Sequence, residues 1–177
     1  YANSFNLTST RLNASGFQLQ TFANQIDSEQ LNIYLDGDGS PWLKGRHPAF
    51  DPTPRNLLTL QLMQQDTHSA IYIGRPCYFE LGPVSRCSKQ QWTQGRYGED
   101  IVGAIDAAIS QTLKQYRPKR VRLIGFSGGG ALAVLIASRR DDINSVITVA
   151  GNLDTDLWTR QHGYLPLIGS LNPALSP

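Results

Sequence analysis

Apolar and polar residues alternate over the first part of the chain. The segments FNLTSTRLN and FQLQTFANQ both follow this two-residue period, and the turn residues ASG separate them. Such a pattern predicts two antiparallel strands joined as a hairpin. Four later runs are almost continuously apolar: QLNIYL, SAIYI, VRLIGF and SVITV. Because short apolar runs of this kind are typical of buried strands, we predict a buried strand at each.

Apolar residues at helical spacing lie between these runs. The segment PRNLLTLQLMQQD carries leucines at such intervals after Pro54, and GEDIVGAIDAAISQTLKQY carries Ile101, Ile105 and Ile109 ahead of Pro118. Both segments are predicted to be helices. A third helix is predicted in GALAVLIASRR. The tail after Asp154 contains three prolines and is predicted to be irregular.

Strands and helices therefore alternate from the third strand onward. This order predicts an α/β fold, a mostly parallel sheet with helices on both faces, and a single domain over residues 1–177. In sheets of this type, ligands bind in the loops that follow the carboxyl ends of the strands. The loops of interest are DGDGSPWLKGRH, RPCYFELGPVSRC, FSGGG and GNLDTDLWTRQH.

Charge and hydropathy exclude two classes of partner. The formal net charge is +2, and the lysines and arginines form no basic stripe. We therefore expect no nucleic-acid partner. No apolar run reaches the roughly 18–20 residues that a membrane-spanning helix needs. A membrane span is therefore not predicted.

Both cysteines of the chain lie in one loop. Cys77 and Cys87 flank Gly82 and Pro83, which allow the ends of the loop to meet. A disulfide here would contribute roughly 2–3 kcal/mol and would indicate an oxidising compartment, so a periplasmic or secreted location is expected. Two free thiols are the alternative, which spacing alone leaves open. A metal site is not expected, because two thiols without a nearby histidine make a poor ligand set.

One serine stands among glycines in the segment GFSGGG. Gly125, Ser127 and Gly129 form a G-x-S-x-G pattern between a predicted strand and a predicted helix. This spacing is typical of a nucleophile elbow, a tight turn that lifts a strained serine above a sheet. Glycine is needed on both sides because bulkier neighbours would collide. The first amides of the following helix would point at an oxyanion formed there.

Other glycine-rich turns fit this segment less well. A phosphate loop of the Walker type ends in Gly-Lys-Ser/Thr, and that ending is missing here. A dinucleotide-binding fingerprint belongs at the first strand–helix turn, whereas this turn is the third. A glycine-rich turn without chemistry stays as the alternative to a nucleophile elbow.

At this point the sequence resembles the α/β-hydrolase superfamily over almost all of its length. The order of the strands, the long helix and the G-x-S-x-G turn match that fold. The segment RPCYF…C…QWTQGRYGED is similar to a bacterial branch of extracytoplasmic α/β hydrolases. The resemblance implies a serine hydrolase of the esterase or lipase type, acting on a small-molecule ester or related acyl compound. It also implies a Ser–acid–His triad, with neither metal nor cofactor.

The resemblance also points to an oxyanion hole. Its second donor follows the third strand, where many relatives have His-Gly-x and this chain has Asp36, Gly37 and Asp38. The backbone N–H of Asp38 would then pair with that of Gly128. Asp36 departs from the usual histidine. The alternatives are an ordinary turn, which Asp and Gly favour, or a calcium loop, which would need an acidic ligand at its twelfth position.

The triad base and acid have no clear candidates. The fold orders its triad Ser, acid, His, and the only histidine after Ser127 is His162. His162 follows Asp156 by six residues, too closely for the strand–helix units that normally intervene. Asp154 and Asp156 lie at the expected end of the sheet. Asp141, Asp142 and His68 precede predicted strands and are therefore expected at the far end of the sheet. His47, in the loop beside DGDG, is expected at the same end as Ser127.

Only six strands of an expected eight are recognisable. We therefore expect the chain to be the amino-terminal portion of a hydrolase domain, with the acid and the histidine in a carboxyl-terminal portion or a separate chain. A strand left unpaired at the edge of a parallel sheet is prone to aggregation. The alternative function is a non-catalytic binding or regulatory protein that keeps the fold and lacks the base.

Overall fold

A computed structural model describes residues 7–24, 27, 29–79 and 86–176, and its centre is a six-stranded sheet. The strands of this sheet are β1 (Thr8–Ala14), β2 (Phe17–Ala23), β3 (Gln30–Leu35), β6 (Ser69–Ile73), β7 (Arg120–Phe126) and β8 (Ser145–Val149). Their order across the sheet is β1-β2-β6-β3-β7-β8. Two short strands, β4 (Trp42–Leu43) and β5 (His47–Pro48), form a separate hairpin. The sequence predicts all six strands of the main sheet.

The sheet is mostly parallel. β1 and β2 form the predicted antiparallel hairpin, and β2 also runs antiparallel to β6. The pairs β3–β6, β3–β7 and β7–β8 are parallel. Parallel pairing brings the carboxyl ends of β3, β7 and β8 to one edge of the sheet. The loops after these strands are therefore neighbours in space.

In the described residues, four α-helices accompany the sheet: α1 (Leu58–Gln64), α2 (Glu99–Tyr116), α3 (Gly128–Ala137) and α4 (Thr155–His162). Short 3-10 helices lie at Lys89–Trp92 and Pro173–Leu175. The first three α-helices were predicted. None of the helices in the described residues is both long and apolar enough to cross a bilayer.

Helix α4 corrects the prediction of an irregular tail. The carboxylate of Asp154 caps it by accepting from the N–H groups of Asp156 (3.1 Å) and Leu157 (3.0 Å). Gly163 ends it with a φ of 64°, a conformation that suits glycine. The prediction of an irregular tail relied on three prolines, but all of them lie beyond Gly163 and therefore do not interrupt α4. A capped helix therefore precedes the irregular part of the tail.

Helices cover the two faces of the sheet in different ways. α2 and α3 pack on one face against Leu31, Ile33 and Leu123, in the larger apolar cluster. α1 packs on the other face in a smaller cluster that contains Tyr34 and Tyr72. Alternate residues of β3 thus enter different clusters, as the two-residue period of a strand requires.

β8 is only partly covered, which corrects the prediction of a buried strand. Within the described residues it pairs with β7 alone and forms an edge of the sheet. Ile147 and Val149 are each 42% exposed. The sequence prediction was wrong about burial, because no described element covers the outer edge of β8 or one of its two faces. Leu153 and Leu157, which follow β8 in the chain, are 41% and 44% exposed.

Candidate active site

The turn between β7 and α3 holds Ser127 in a strained conformation. Its φ is 51° and its ψ is −119°, a region that non-glycine residues rarely adopt. A Cβ atom on Gly125 would lie 2.2 Å from the carbonyl oxygen of Gly129, and one on Gly129 would lie 2.1 Å from that of Leu35. Neither position therefore accepts a side chain. This is the tight strand-to-helix turn that the G-x-S-x-G pattern predicts.

The backbone of Ser127 is fixed from the β8 side. Its N–H donates to the carbonyl of Val149 (2.8 Å), and its own carbonyl accepts from the N–H of Asn152 (3.3 Å). Its side chain is partly exposed, and Oγ makes no hydrogen bond with a described residue. The hydroxyl is therefore free to meet a ligand.

Ser127 lines a cleft of about 790 Å³ at the carboxyl edge of the sheet. This volume is within the range of small-molecule sites. The walls come from the turn after β3, the β4–β5 hairpin and the chain that ends α4. Apolar lining residues include Trp42, Leu58, Phe126, Trp158, Tyr164 and Leu165. Charged lining residues are Asp36, Asp38, Arg46, Arg55 and Arg96.

Asp38 is held by a buried cluster of donors. Arg75 Nη1 donates to its Oδ1 (2.6 Å), and Arg96 Nη1 donates to its Oδ2 (2.9 Å). The hydroxyl of Tyr97 lies 2.9 and 2.8 Å from the two carboxylate oxygens. The hydroxyl of Tyr78 donates to the backbone carbonyl of Asp38 (2.9 Å). We call these five residues the Asp38 clamp.

The clamp keeps its carboxylate charged. Burial raises the pKa of Asp38, but the charges of Arg75 and Arg96 and the hydrogen bonds of the clamp outweigh it and hold that pKa below its ordinary value. Burial raises the pKa of Tyr97 well above its ordinary value, and the Asp38 charge adds to this shift. Tyr97 therefore keeps its proton and serves as a donor.

Gly128 lies directly against the clamp. A Cβ atom on it would sit 2.0 Å from Oδ1 of Asp38 and 2.6 Å from the hydroxyl oxygen of Tyr97. Neither the N–H group of Gly128 nor that of Asp38 donates a hydrogen bond to an acceptor within the described part of the chain. The structure thus brings together Ser127, Gly128 and Asp38, the residues that sequence analysis singled out.

Asp36 is buried and anchors the start of the same loop. Its Oδ1 accepts from the hydroxyl of Thr59 (2.6 Å) and from the N–H of Gly37 (2.8 Å). Its Oδ2 accepts from the hydroxyl of Tyr72 (2.9 Å), whose pKa is raised well above its ordinary value by burial and by the Asp36 charge. The carboxylate of Asp36 therefore holds the loop, and its hydrogen-bonding capacity is used internally.

None of the three histidines contacts Ser127 in the described residues. Nδ1 of His162 lies 2.9 Å from the carbonyl oxygen of Trp158, and its ring stacks on Tyr164 at 5.4 Å. His68 contacts Asp66 (3.0 Å) next to the amino-terminal end of β6, the far end that sequence analysis predicts. His47 is exposed on β5.

The candidate acids after Ser127 are engaged elsewhere. Asp154 caps α4 and also accepts from Nδ2 of Asn172 (3.1 Å), whereas Asp156 accepts from the same amide (3.2 Å). Asp142 forms an ion pair with Arg140 (2.7 Å). The described residues therefore contain no assembled Ser–His–acid triad.

Cys77 and Cys87 form a disulfide, with their Cα atoms 5.6 Å apart. The bridge closes the loop that contains Tyr78 and that follows Arg75, two members of the Asp38 clamp. No group of three or more His, Cys, Asp or Glu residues in the described ranges is arranged to hold a metal ion.

Sequence analysis missed the side-chain half of the clamp. Arg75 lies in GRPC and Arg96 and Tyr97 lie in GRYGED, about twenty residues further along the chain. Nothing in their spacing pairs them with Asp38. The one available signal is that both arginines follow a glycine near a predicted strand end or helix start.

Comparison with known proteins gives matches in structure only. No protein-family profile and no curated protein matches the sequence. An esterase from Pyrococcus furiosus aligns with a TM-score of 0.62 and 15% identity, covering 98% of this chain and 64% of its own. An α/β serine hydrolase without a lid from Xanthomonas campestris gives 0.56 and 11%, covering 95% and 67%.

A third solved structure, an α/β serine hydrolase homologue from Coxiella burnetii, gives a TM-score of 0.55 at 14% identity and covers 82% of this chain and 64% of its own. The chain thus spans about two thirds of the length of these structures. The matches cover 82–98% of this chain and therefore include most of its sheet and helices. The chain has the α/β-hydrolase fold.

Proposed function

We propose that the protein is a serine hydrolase that acts on an ester or a related small-molecule acyl compound. One observation carries the proposal: the strained Ser127 lines a cleft, and within the described residues its hydroxyl and two nearby backbone N–H groups form no hydrogen bond. Such N–H groups stabilise the negative charge that develops on a carbonyl oxygen during acyl transfer. The N–H groups of Gly128 and Asp38 would form the oxyanion hole, and Gly125 and Gly129 would allow the nucleophile elbow.

The proposed reaction has two steps. In the first, Oγ of Ser127 bonds to the ester carbonyl carbon, the bond from that carbon to the alcohol oxygen breaks, and the serine proton passes through a base to the departing alcohol. In the second, a water molecule attacks the acyl-serine, releases the carboxylic acid and returns a proton to Ser127. Neither step uses a cofactor.

We infer that the base comes from outside the described residues, because none of His47, His68 and His162 forms a hydrogen bond with Ser127 within them. We propose that the carboxyl-terminal part of the same fold supplies the histidine and the acid and packs on the apolar edge of β8. The exposure of Ile147 and Val149 on that edge supports this arrangement. So does the greater length of the similar hydrolase structures.

A periplasmic or secreted location is part of the proposal. The disulfide between Cys77 and Cys87 supports it, because such bonds persist in oxidising compartments and are rare in reducing ones. The bridge would then form after export. Before it forms, Arg75 and Tyr78 would be held less firmly against Asp38.

A fluorophosphonate probe tests the proposal in the protein expressed from its complete gene. We expect one adduct, located by peptide mapping on Ser127 and absent from Ser127→Ala. Ser110→Ala, an exposed serine on α2, is the matched control and should label normally. A folded protein whose Ser127 stays unlabelled would contradict the proposal and favour a non-catalytic binding protein.

A further inference from the structure

The Asp38 clamp carries a surplus positive charge. One carboxylate faces two guanidinium groups, and the side chains of Arg75 and Arg96 are only 2% and 6% exposed. Buried charges are costly unless they are neutralised, so a second negative charge would be favourable at this place. No second carboxylate among the described residues contacts either arginine.

The two arginines differ in what they can still bind. Arg75 donates to Asp38 and to the carbonyl of Arg96, and its guanidinium lies 5.5 Å from the ring centres of both Tyr78 and Tyr97. Its unbonded Nε is fully enclosed. Arg75 is therefore a structural member of the clamp that a ligand does not reach.

Arg96 keeps a free nitrogen at the cleft. Its Nε donates to the carbonyl of Thr93 (2.5 Å), and its Nη1 donates to Asp38. Its Nη2 makes no hydrogen bond with a described residue and is not among the fully enclosed unpaired atoms. Because Arg96 also lines the cleft, this nitrogen is open to a ligand there.

The other charged groups of the cleft leave room for an anion. Its two carboxylates, Asp36 and Asp38, both accept internal hydrogen bonds from several donors. Arg46 also lines it and is exposed. An anion in this cleft would therefore have Arg96 and Arg46 as positively charged partners.

We propose that the site selects esters that carry an anionic oxygen group, such as a carboxylate, and that Arg96 recognises this group through Nη2. The inference rests on the proposed function. Arg96 donates to the carboxylate of Asp38, and this carboxylate lies directly against Gly128. The anion would therefore lie on the same side of the cleft as the proposed oxyanion donors, the N–H groups of Gly128 and Asp38. The apolar wall formed by Trp158, Tyr164 and Leu165 would receive the uncharged part of the substrate.

Matched ester pairs test the selection in the protein expressed from its complete gene. One pair differs in the acyl part: 4-nitrophenyl hydrogen glutarate against methyl 4-nitrophenyl glutarate. The other differs in the alcohol part: 4-carboxyphenyl butyrate against its methyl ester. We expect kcat/KM to favour the anionic member of one pair by about 10- to 100-fold, the range of a charge-assisted hydrogen bond.

The preferred pair would show whether the anion belongs to the acid or to the alcohol. Equal kcat/KM values in both pairs would overturn the inference and leave the proposed hydrolase intact. In Arg96→Gln the preference should fall to about onefold, and Arg96→Lys, which keeps the charge, should recover part of it. Arg139→Gln removes a surface arginine that pairs with Glu99 and should keep the full preference.

A binding measurement separates this inference from catalysis. Trp42 and Trp158 line the cleft, so tryptophan fluorescence can follow the titration of Ser127→Ala with hexanoate and with hexanamide. We expect hexanoate to bind at least about tenfold more tightly. Equal affinities would overturn the inference even if Ser127 reacts with the fluorophosphonate. Tighter binding of hexanoate without any serine reactivity would instead contradict the hydrolase.

Discussion

The carboxylate of Asp38 occupies the space that a side chain on Gly128 would need. Only 2.0 Å would separate Oδ1 of Asp38 from a Cβ atom on Gly128. The residue after the serine and the loop after β3 are thus fitted to each other through a buried ion cluster. The geometry of Ser127 and that of the clamp therefore depend on one another.

Gly128→Ala should disturb both the turn at Ser127 and the Asp38 clamp. The added methyl group must displace Asp38 or the start of α3, and we expect a loss of about 1–3 kcal/mol of stability together with a large loss of Ser127 reactivity. Urea unfolding and the rate of fluorophosphonate labelling measure the two effects. Gly103→Ala is the matched control, because a Cβ there meets nothing within 4 Å and alanine favours a helix. Normal labelling of Gly128→Ala would contradict this fit.

Asp38→Asn should be among the most destabilising single changes. It leaves Arg75 and Arg96 buried without a counter-charge, which typically costs about 3–5 kcal/mol. Glu99→Gln, which breaks an exposed ion pair with Arg139, should cost no more than about 1 kcal/mol. Urea unfolding of the three proteins makes the comparison. Similar losses for the two variants would show that the clamp contributes little.

The carboxylate of Asp38 should make the free energy of unfolding depend on pH in the acid range. The pKa of Asp38 is lower in the folded protein than in the unfolded chain, so its contribution is complete above the unfolded pKa of about 4. It is lost as the pH falls through the lower folded value. The unfolding free energy should therefore decrease in this acid range, and Asp38→Asn should show a smaller decrease. Equal acid dependence of the two proteins would contradict this assignment.

Removing the disulfide should weaken the loop that carries Tyr78 and follows Arg75. The closed loop has a sequence separation of 10, for which loop entropy predicts a loss of about 3 kcal/mol. The double variant Cys77→Ser/Cys87→Ser, compared with the oxidised protein in urea, measures it. Two reactive thiols in the denatured, unreduced protein would show that the bond does not form.

The apolar edge of β8 should make residues 1–177 self-associate when they are produced alone. Ile147→Lys places a charge on that edge and should reduce the association, measured by light scattering. Phe50→Lys is the control, because Phe50 is an 89% exposed apolar residue away from β8. In the protein from the complete gene, Ile147→Lys should instead lower stability. No change in either context would argue against a covered edge.

His162 should not act as the base. Its contacts are with Trp158 and Tyr164, so His162→Ala should keep most of the ester hydrolysis of the complete protein. Ser127→Ala should abolish it, because loss of the nucleophile leaves only the residual rate from binding and the oxyanion hole. Steady-state kinetics of the two variants decide. A collapse of activity in His162→Ala would make it the base, with Asp154 or Asp156 as its acid.

The predictable parts of the molecule are those with local signals. The period of apolar residues indicated the main strands and three helices, and the spacing of Gly125 and Gly129 indicated the strained turn. Helix α4 was missed because its signal is a single cap at Asp154 beside later prolines. The clamp was missed because Arg75, Arg96 and Asp38 meet only through the parallel order of the sheet. Such long-range contacts leave no periodicity in the sequence.

Three backbone hydrogen bonds fix Ser127: its N–H donates to the carbonyl of Val149, and its own carbonyl accepts from the N–H groups of Gly130 and Asn152. A backbone in such a conformation costs about 1–3 kcal/mol, and neighbours within the described residues stabilise it. The backbone conformation of Ser127 is therefore set by its described neighbours, independently of the base that would remove its proton. Any protein segment that brings an imidazole to Ser127 would use its binding energy to place that ring, since the proposed nucleophile is already in position.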